Sequence, residues 1–155
     1  MSYLSNEELN KWMKRRSHRY SKSLFLDVYA RDNLPDRIPF YPCTVIINTD
    51  SSNLRGKHWV AVYVSAYKVA EYFDSLDQPA PHDIALWMNK FSWDWKKVTP
   101  FCLQNPASTL CGGYVLYFVN ERPMDTLRTI LLPFSKDVYR NDLYVKTYVK
   151  QKFKN

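Results

Sequence analysis

The pattern of apolar and polar positions divides this chain into alternating helical and extended segments. The opening run "LSNEELNKWMKRR" reads as a helix with Ser5 as N-cap, Glu8 three residues on completing a capping box, and Leu4 placed to staple to Leu9. A basic stretch, "KRRSHRYSK", follows it, and the prolines of "NLPDRIPFYP" mark a loop. "CTVIIN" is a short β-branched run that predicts a buried strand. After a turn in "SSNLRG", the runs "KHWVAVYVS" and "YKVAEYFDS" predict two strands that pair antiparallel. "QPAPHDIALWMNKF" predicts a helix that turns Ile84, Leu86, Trp87 and Met88 inward, and "KKVTPFCLQN" a last short strand or extended arm. Helices are predicted over 109–121, 123–132 and 136–152. With no repeat, low-complexity tract or linker, residues 1–155 are expected to form one α+β domain, a small mixed, mainly antiparallel twisted sheet flanked by helices.

Composition supports a folded chain. Of 155 residues, 46% are hydrophobic and 16% aromatic, enough apolar surface to offset the entropy of ordering. No basic leader precedes a short apolar run and no apolar stretch approaches about 18 residues, so neither a signal peptide nor a membrane span is expected. Three cysteines, Cys43, Cys102 and Cys111, form no CxxC pair or Cys/His cluster. That pattern argues against a disulfide framework and against a metal site, and for a reducing intracellular compartment. The formal charge of +7 favours polyanionic partners. Lys11, Lys14, Arg15, Arg16, Arg19 and Lys22 cluster near the first helix, and Lys146, Lys150, Lys152 and Lys154 near the last. Lys11, Lys14 and Arg15 share one helical face, as do Lys146 and Lys150, which makes them candidate DNA contacts; the alternative is a pair of solubilising faces.

The chemistry centres on "TLCGGYVLYF". The chain has three glycines, and two of them, Gly112 and Gly113, follow Cys111 at the start of an apolar run long enough for a buried helix. A thiol at a helix N-terminus gains from the free N–H groups and the dipole, which stabilise a thiolate. Helix propensity does not explain the glycines; clearance for a substrate backbone beside the sulfur does, and a tight packing contact is the competing reading. A thiol nucleophile needs a base, and His58 stands at the start of a predicted strand. Asp74 ends the next strand, 16 residues on, so a hairpin would bring the two together and let the carboxylate orient the ring. Asp77, in the turn beyond, and Glu71, on the opposite face by strand alternation, compete for that role. Gln104, seven residues before Cys111, can supply an amide donor to an oxyanion together with the Cys111 backbone N–H.

In this order, "GKHW", "FDS" and "LQNPASTLCG" resemble the adenovirus-type endopeptidase family (adenain), relatives of the ubiquitin-like-protein proteases. "SNEEL", "FLDVYARDNLP", "PCTVIINTD" and "RPMD" extend the resemblance over most of the chain. It implies an adenain-like cysteine protease fold with the nucleophile Cys111 at the N-terminus of a buried central helix, His58 as base, Asp74 as orienting acid and Gln104 as oxyanion donor. Trp59, Gly112 and Gly113 are then expected along the substrate cleft. It further implies cleavage of capsid and core precursor proteins during maturation of a DNA virus or virus-like element, at small, Gly-containing sites. The expected setting is the virion and the host nucleus or cytoplasm. No cofactor is needed for the chemistry, non-specific DNA is the implied stimulating partner, and the chain is expected to act as a monomer away from membranes. The sequence departs from the family in several places. The acid is aspartate, as in the ubiquitin-like-protein branch, "CGGYVLYF" stands where a Cys-Gly-Leu-Phe-Cys type is usual, and the segment between Trp87 and Cys102 and the C-terminus are trimmed. The family's activating peptide is disulfide-linked well before the glutamine, whereas Cys102 is two residues from Gln104 and Cys43 falls on a buried strand, so that cofactor is not expected here. Two other functions stay open: a deconjugating protease for ubiquitin-like modifiers, and a basic nucleic-acid-binding module with an inert cysteine.

Overall fold

Runs as apolar as "CTVIIN" and "WVAVYV" satisfy both faces only in the middle of a sheet covered on two sides. The computed structural model, which describes residues 4–50 and 58–154, places them there. Strands β2 (Cys43–Asn48) and β3 (Trp59–Val64) are buried at every position. They pair antiparallel, from Cys43 opposite Val64 to Asn48 opposite Trp59. β4 (Val69–Phe73) pairs antiparallel to β3, with Ala61 opposite Phe73. The expected hairpin therefore forms. The turn assigned to "SSNLRG", with Gly56, lies outside the described residues.

The outer strands differ from the sequence expectation. β1 (Phe25–Ala30) runs parallel to β2, and β5 (Asp94–Lys97) parallel to β4, giving the order β1-β2-β3-β4-β5. The sheet is mixed, with two parallel pairs outside two antiparallel ones, rather than mainly antiparallel. The cause is connectivity: long crossovers join β1 to β2 and, through helix α3 (His82–Phe91), β4 to β5, and a crossover of that length returns the chain in the same direction. β1 itself goes unpredicted because "FLDVYA" is half-buried along most of its length and shows no clean alternation.

Alternate residues feed two cores. Ile46, Trp59, Ala61, Tyr63 and Phe73 join one with helix residues from α1 (Asn6–Arg16), α4 (Cys111–Glu121) and α6 (Val138–Lys152). Val45, Ile47, Val60, Val62, Val64 and Tyr72 join the other with Ile84, Trp87 and Met88 of α3. Leu86 is exposed, contrary to expectation, because it is two residues from Ile84 and so falls across the helix from the 84, 87, 88 stripe. Two short helices, α2 (Arg19–Leu24) and α5 (Leu127–Leu131), complete the chain, α5 well inside the predicted 123–132.

Helix α4 is the axis of the molecule, buried from Cys111 through Asn120. α1 lies against it, begun by the capping box of Ser5 and Glu8 and anchored by Leu4 and Leu9 in the same core. A Cβ on Gly112 would stand 3.2 Å from Leu4 Cδ1, 3.3 Å from Leu4 Cβ and 3.5 Å from Leu9 Cδ2. The space left by the missing side chain is thus filled by the chain's own N-terminal segment. That corrects the expectation of substrate clearance at Gly112: the packing contact is what the glycine serves. Gly112→Val should lower unfolding free energy by about 1–3 kcal/mol, the usual cost of overpacking. Leu4→Ala in the same chain should recover part of that loss, because the two positions share one volume. Urea unfolding of the four proteins of the cycle checks it, and strict additivity would refute the contact.

Candidate active site

Antiparallel pairing of β3 and β4 sets the start of one strand beside the end of the other. His58 immediately precedes β3 and Asp74 immediately follows β4. Their side chains meet, His58 Nε2 lying 2.8 Å from Asp74 Oδ1. Asp74 is 2% exposed, and a carboxylate so buried needs hydrogen bonds to stay charged. It has them: the backbone N–H of Leu76 donates to Oδ1 at 2.9 Å and that of Gln78 to Oδ2 at 3.2 Å. The turn after β4 folds back on its own first residue to hold the acid in place.

With Nε2 committed to Asp74, Nδ1 is the ring nitrogen left to interact with Cys111, which raises the His58 pKa from the first turn of α4. Cys111 is the first residue of α4, at the end of the helix where the dipole favours negative charge. Leu110, at the N-cap, has no polar side chain to cap it. Burial disfavours a charged imidazole, but the hydrogen bonds and charges of Asp74 and Cys111 outweigh it and raise the His58 pKa to about 9. The ring is therefore disposed to hold a proton beside the sulfur, the arrangement that makes a thiol a nucleophile. The other cysteines lack it. Burial pushes the Cys43 thiol up to about 12, and burial raises Cys102 as well, whose thiol donates to the Gln104 carbonyl at 3.2 Å.

The competing carboxylates are engaged elsewhere. Glu71 takes Arg122, at the far end of α4, through two bonds of 2.7 and 3.0 Å. Asp77 accepts from Thr99 at 3.1 Å and pairs with Lys97 at 2.7 Å. Gln104 is 2% exposed and oriented within the loop before α4. Its Oε1 accepts from the Ser75 hydroxyl at 2.6 Å, while Nε2 donates to Ser108 O at 3.0 Å and Ser108 Oγ at 3.2 Å. α6 holds the same loop through Asn141 Nδ2 to Leu103 O and Asp142 Oδ1, which accepts from the Asn105 N–H. Ser75, Asn141 and Asp142 escaped the sequence reading; only the position of Ser75, directly after the acid, offered a signal.

Two of the expected cleft residues are placed in packing instead. Trp59 is buried in the α1–α4 core, and its indole N–H donates to Asn6 Oδ1 of α1, so it ties strand to helix rather than lining a cleft. Gly113 is buried within α4. Of the basic residues, Lys11, Arg15 and Arg16 come together with Lys154, Trp12 and Phe153 around a pocket of about 440 Å³, which Lys14, Arg19, Lys22, Lys146 and Lys150 do not line. Among the described residues no group of three His, Cys, Asp or Glu side chains could hold a metal ion, and no helix is long and apolar enough to cross a membrane.

With this geometry in view, relatives can be compared. No protein-family model matches the chain. The SUMO-1 cysteine protease of African swine fever virus is 30% identical over 96 residues, 52% of this chain and 35% of its own, so the chain spans about a third of the length of the curated relatives it matches. The crystal structure of the African swine fever virus protease superposes with a TM-score of 0.66 at 19% identity, over 93% of this chain and 66% of that one. The central domain of an uncharacterised Legionella pneumophila protein follows at 0.57 and 10% identity, covering 99% of this chain and 97% of that one. ChlaDub1 from Chlamydia trachomatis reaches 0.52 at 13% identity, over 97% of this chain and 79% of its own. The chain shares its fold with the African swine fever virus protease and with these two bacterial proteins. On this protease fold the expected α+β architecture and the helix-borne cysteine both stand.

The raised His58 pKa has a consequence for stability. The folded ring binds its proton more tightly than the unfolded one, so the contribution is complete below about pH 6.5, the ordinary histidine value, and fades as pH rises through the folded pKa. Wild-type unfolding free energy relative to His58→Gln should therefore be largest in mild acid and shrink as pH rises to about 9. Urea titrations at a series of pH values measure it; an advantage that grew with pH would contradict the assignment.

Proposed function

We propose that this chain is a cysteine endopeptidase that cleaves viral, or virus-like-element, capsid and core precursor proteins at small, Gly-containing sites. The observation that carries the reading is the His58–Asp74 contact of 2.8 Å, with Cys111, the first residue of α4, acting on the same ring. In the proposed reaction His58 takes the Cys111 proton and the thiolate attacks the scissile carbonyl. Asp74 keeps the imidazolium oriented, and the charge developing on the carbonyl oxygen is met by the Cys111 backbone N–H and Gln104 Nε2. A charged oxyanion is the stronger acceptor and draws one Gln104 N–H away from the Ser108 hydroxyl. His58 then gives its proton to the leaving amine, and water, deprotonated by the same ring, releases the acyl group.

Deconjugation of a ubiquitin-like modifier is the second reading, supported by the SUMO-1 protease name of the viral relative. Side-by-side assays of a modifier fusion and a precursor peptide separate the two. The setting we propose is the virion and the reducing interior of an infected cell. Cys111→Ala should abolish turnover with folding intact, and His58→Ala nearly so, since members of such a unit fail together. Gln104→Ala should lower the rate by roughly 10²–10³, as loss of one oxyanion donor does. Asp74→Ala should be milder than His58→Ala. Labelling by a thiol-directed electrophile, with mass mapping, should find Cys111; inactivation by Cys43→Ala or Cys102→Ala instead would refute the assignment.

DNA enters the proposal as an accessory partner. Lys11, Arg15, Arg16 and Lys154 around one pocket, with Trp12 at its wall, form a compact cationic surface. Binding there should be sequence-independent and fall with salt at roughly −0.9 per phosphate neutralised. Lys11→Ala with Arg15→Ala should flatten that slope in duplex anisotropy measurements. Affinity that ignores salt between about 50 and 200 mM would remove DNA from the proposal.

A further inference from the structure

The main chain of the loop that carries Gln104 is held by the Ser75 carbonyl on one side and by α6 side chains on the other, but the direction of its amide depends on Ser75 and Ser108. Ser75 O accepts from the backbone N–H of Leu103 at 2.8 Å and of Gln104 at 3.0 Å. Asn141 Nδ2 holds Leu103 O from α6 at 3.0 Å. At the side chain, Ser75 Oγ donates to Gln104 Oε1 at 2.6 Å, and Ser75 is 0% exposed, so no water competes for that hydroxyl. The opposite end of the amide donates only to Ser108, among the contacts the described residues make. The contact with the Ser108 hydroxyl is the one an oxyanion displaces. The Ser75 bond is the one that remains.

We propose that Ser75 is a positioning residue for catalysis: its buried hydroxyl fixes Oε1 of Gln104 inward, so that Nε2 faces the reaction throughout the cycle. The proposal rests on the cysteine protease reading and adds a residue to it. Donation to Oε1 also polarises the amide, which makes its N–H groups better donors to developing negative charge. Two neighbouring residues then serve two parts of the site, Asp74 orienting the base and Ser75 orienting the oxyanion donor. The turn after β4 becomes the common support of both.

The test is a steady-state comparison on a fluorogenic Gly-Gly amide peptide, paired with affinity for a Gly-Gly peptide aldehyde. The aldehyde reports directly on the oxyanion position, because its adduct with Cys111 carries the tetrahedral oxygen. Ser75→Ala should lower kcat by on the order of 10–10², short of the 10²–10³ expected for removing a donor outright, with KM little changed. Aldehyde affinity should fall in parallel. Ser75→Cys, nearly isosteric and a weak donor, should fall in between, and it carries the test alone if Ser75→Ala does not fold. In a Gln104→Ala background Ser75→Ala should cost nothing further in kcat, whereas a purely structural role would let the losses multiply. Ser75→Ala or Ser75→Cys at wild-type kcat beside an impaired Gln104→Ala would overturn this proposal alone. Multiplying losses would do the same. A Gln104→Ala protein as active as wild type would overturn it together with the oxyanion role of Gln104.

Discussion

A carboxylate has been placed where water does not reach, and the site is organised around keeping it charged. Asp74 is buried at the end of β4, and its two oxygens are met by the His58 ring and by the backbone N–H groups of Leu76 and Gln78. Losing any of these would leave a buried charge under-compensated, which is costly enough to constrain the turn and the strand register together. Shifting β3 against β4 by one residue would carry His58 away from Asp74 and send every side chain of β3 to the wrong core. The hydrophobic pattern and the His58–Asp74 pair thus specify the same register.

Cys111 needs a second constraint, because it arrives from a different part of the chain. α4 is pinned at its C-terminal end by polar contacts. Asn120 Oδ1 accepts from the His18 N–H at 2.7 Å, and its carbonyl accepts from Ser21 at 2.6 Å. Glu121 takes the Tyr148 hydroxyl at 2.6 Å, and Arg122 grips Glu71 while lying 4.6 Å over the Tyr63 ring. At the N-terminal end Gly112 lets Leu4 and Leu9 close on the first turn. An apolar helix could slide along its groove; fixed polar partners at one end and a close apolar contact at the other prevent it. Cys111 stands opposite His58 because the whole helix is registered.

Much of this was legible in the sequence, for a physical reason in each case. β2, β3 and β4 were readable because β-branched runs buried on both faces leave little else, and α1 because its capping box is a local signal. His58 with Asp74 followed from strand direction alone. β1 was not readable, being half-buried, and the parallel edges were not, since direction is set by crossovers rather than by composition. Gly112 and Trp59 misled for one reason: a residue beside Cys111 or His58 was assigned to the substrate, while its neighbours in space, Leu4 before α1 and Asn6 at its start, lie about a hundred and about fifty residues away. Asn141 and Asp142 were invisible because polar contacts between distant segments leave no periodicity, and Ser75 was marked only by its place after Asp74.

The two constraints meet in the turn after β4. Asp74 faces the histidine from it, and Ser75 faces the glutamine loop, with one residue's carbonyl and hydroxyl both given to that loop. Asp77, two residues on, ties the turn to β5 through Lys97 and Thr99. In the proposed reaction, His58, Cys111 and Gln104, drawn from three chain segments, must agree to within a fraction of an ångström to act together. Loops usually give such agreement poorly, yet here the segment that has to be rigid is short, buried and bonded through main chain on both sides. The fixed point of the site is therefore the turn after β4 that His58 and Gln104 share, and Cys111 is brought to it by its helix.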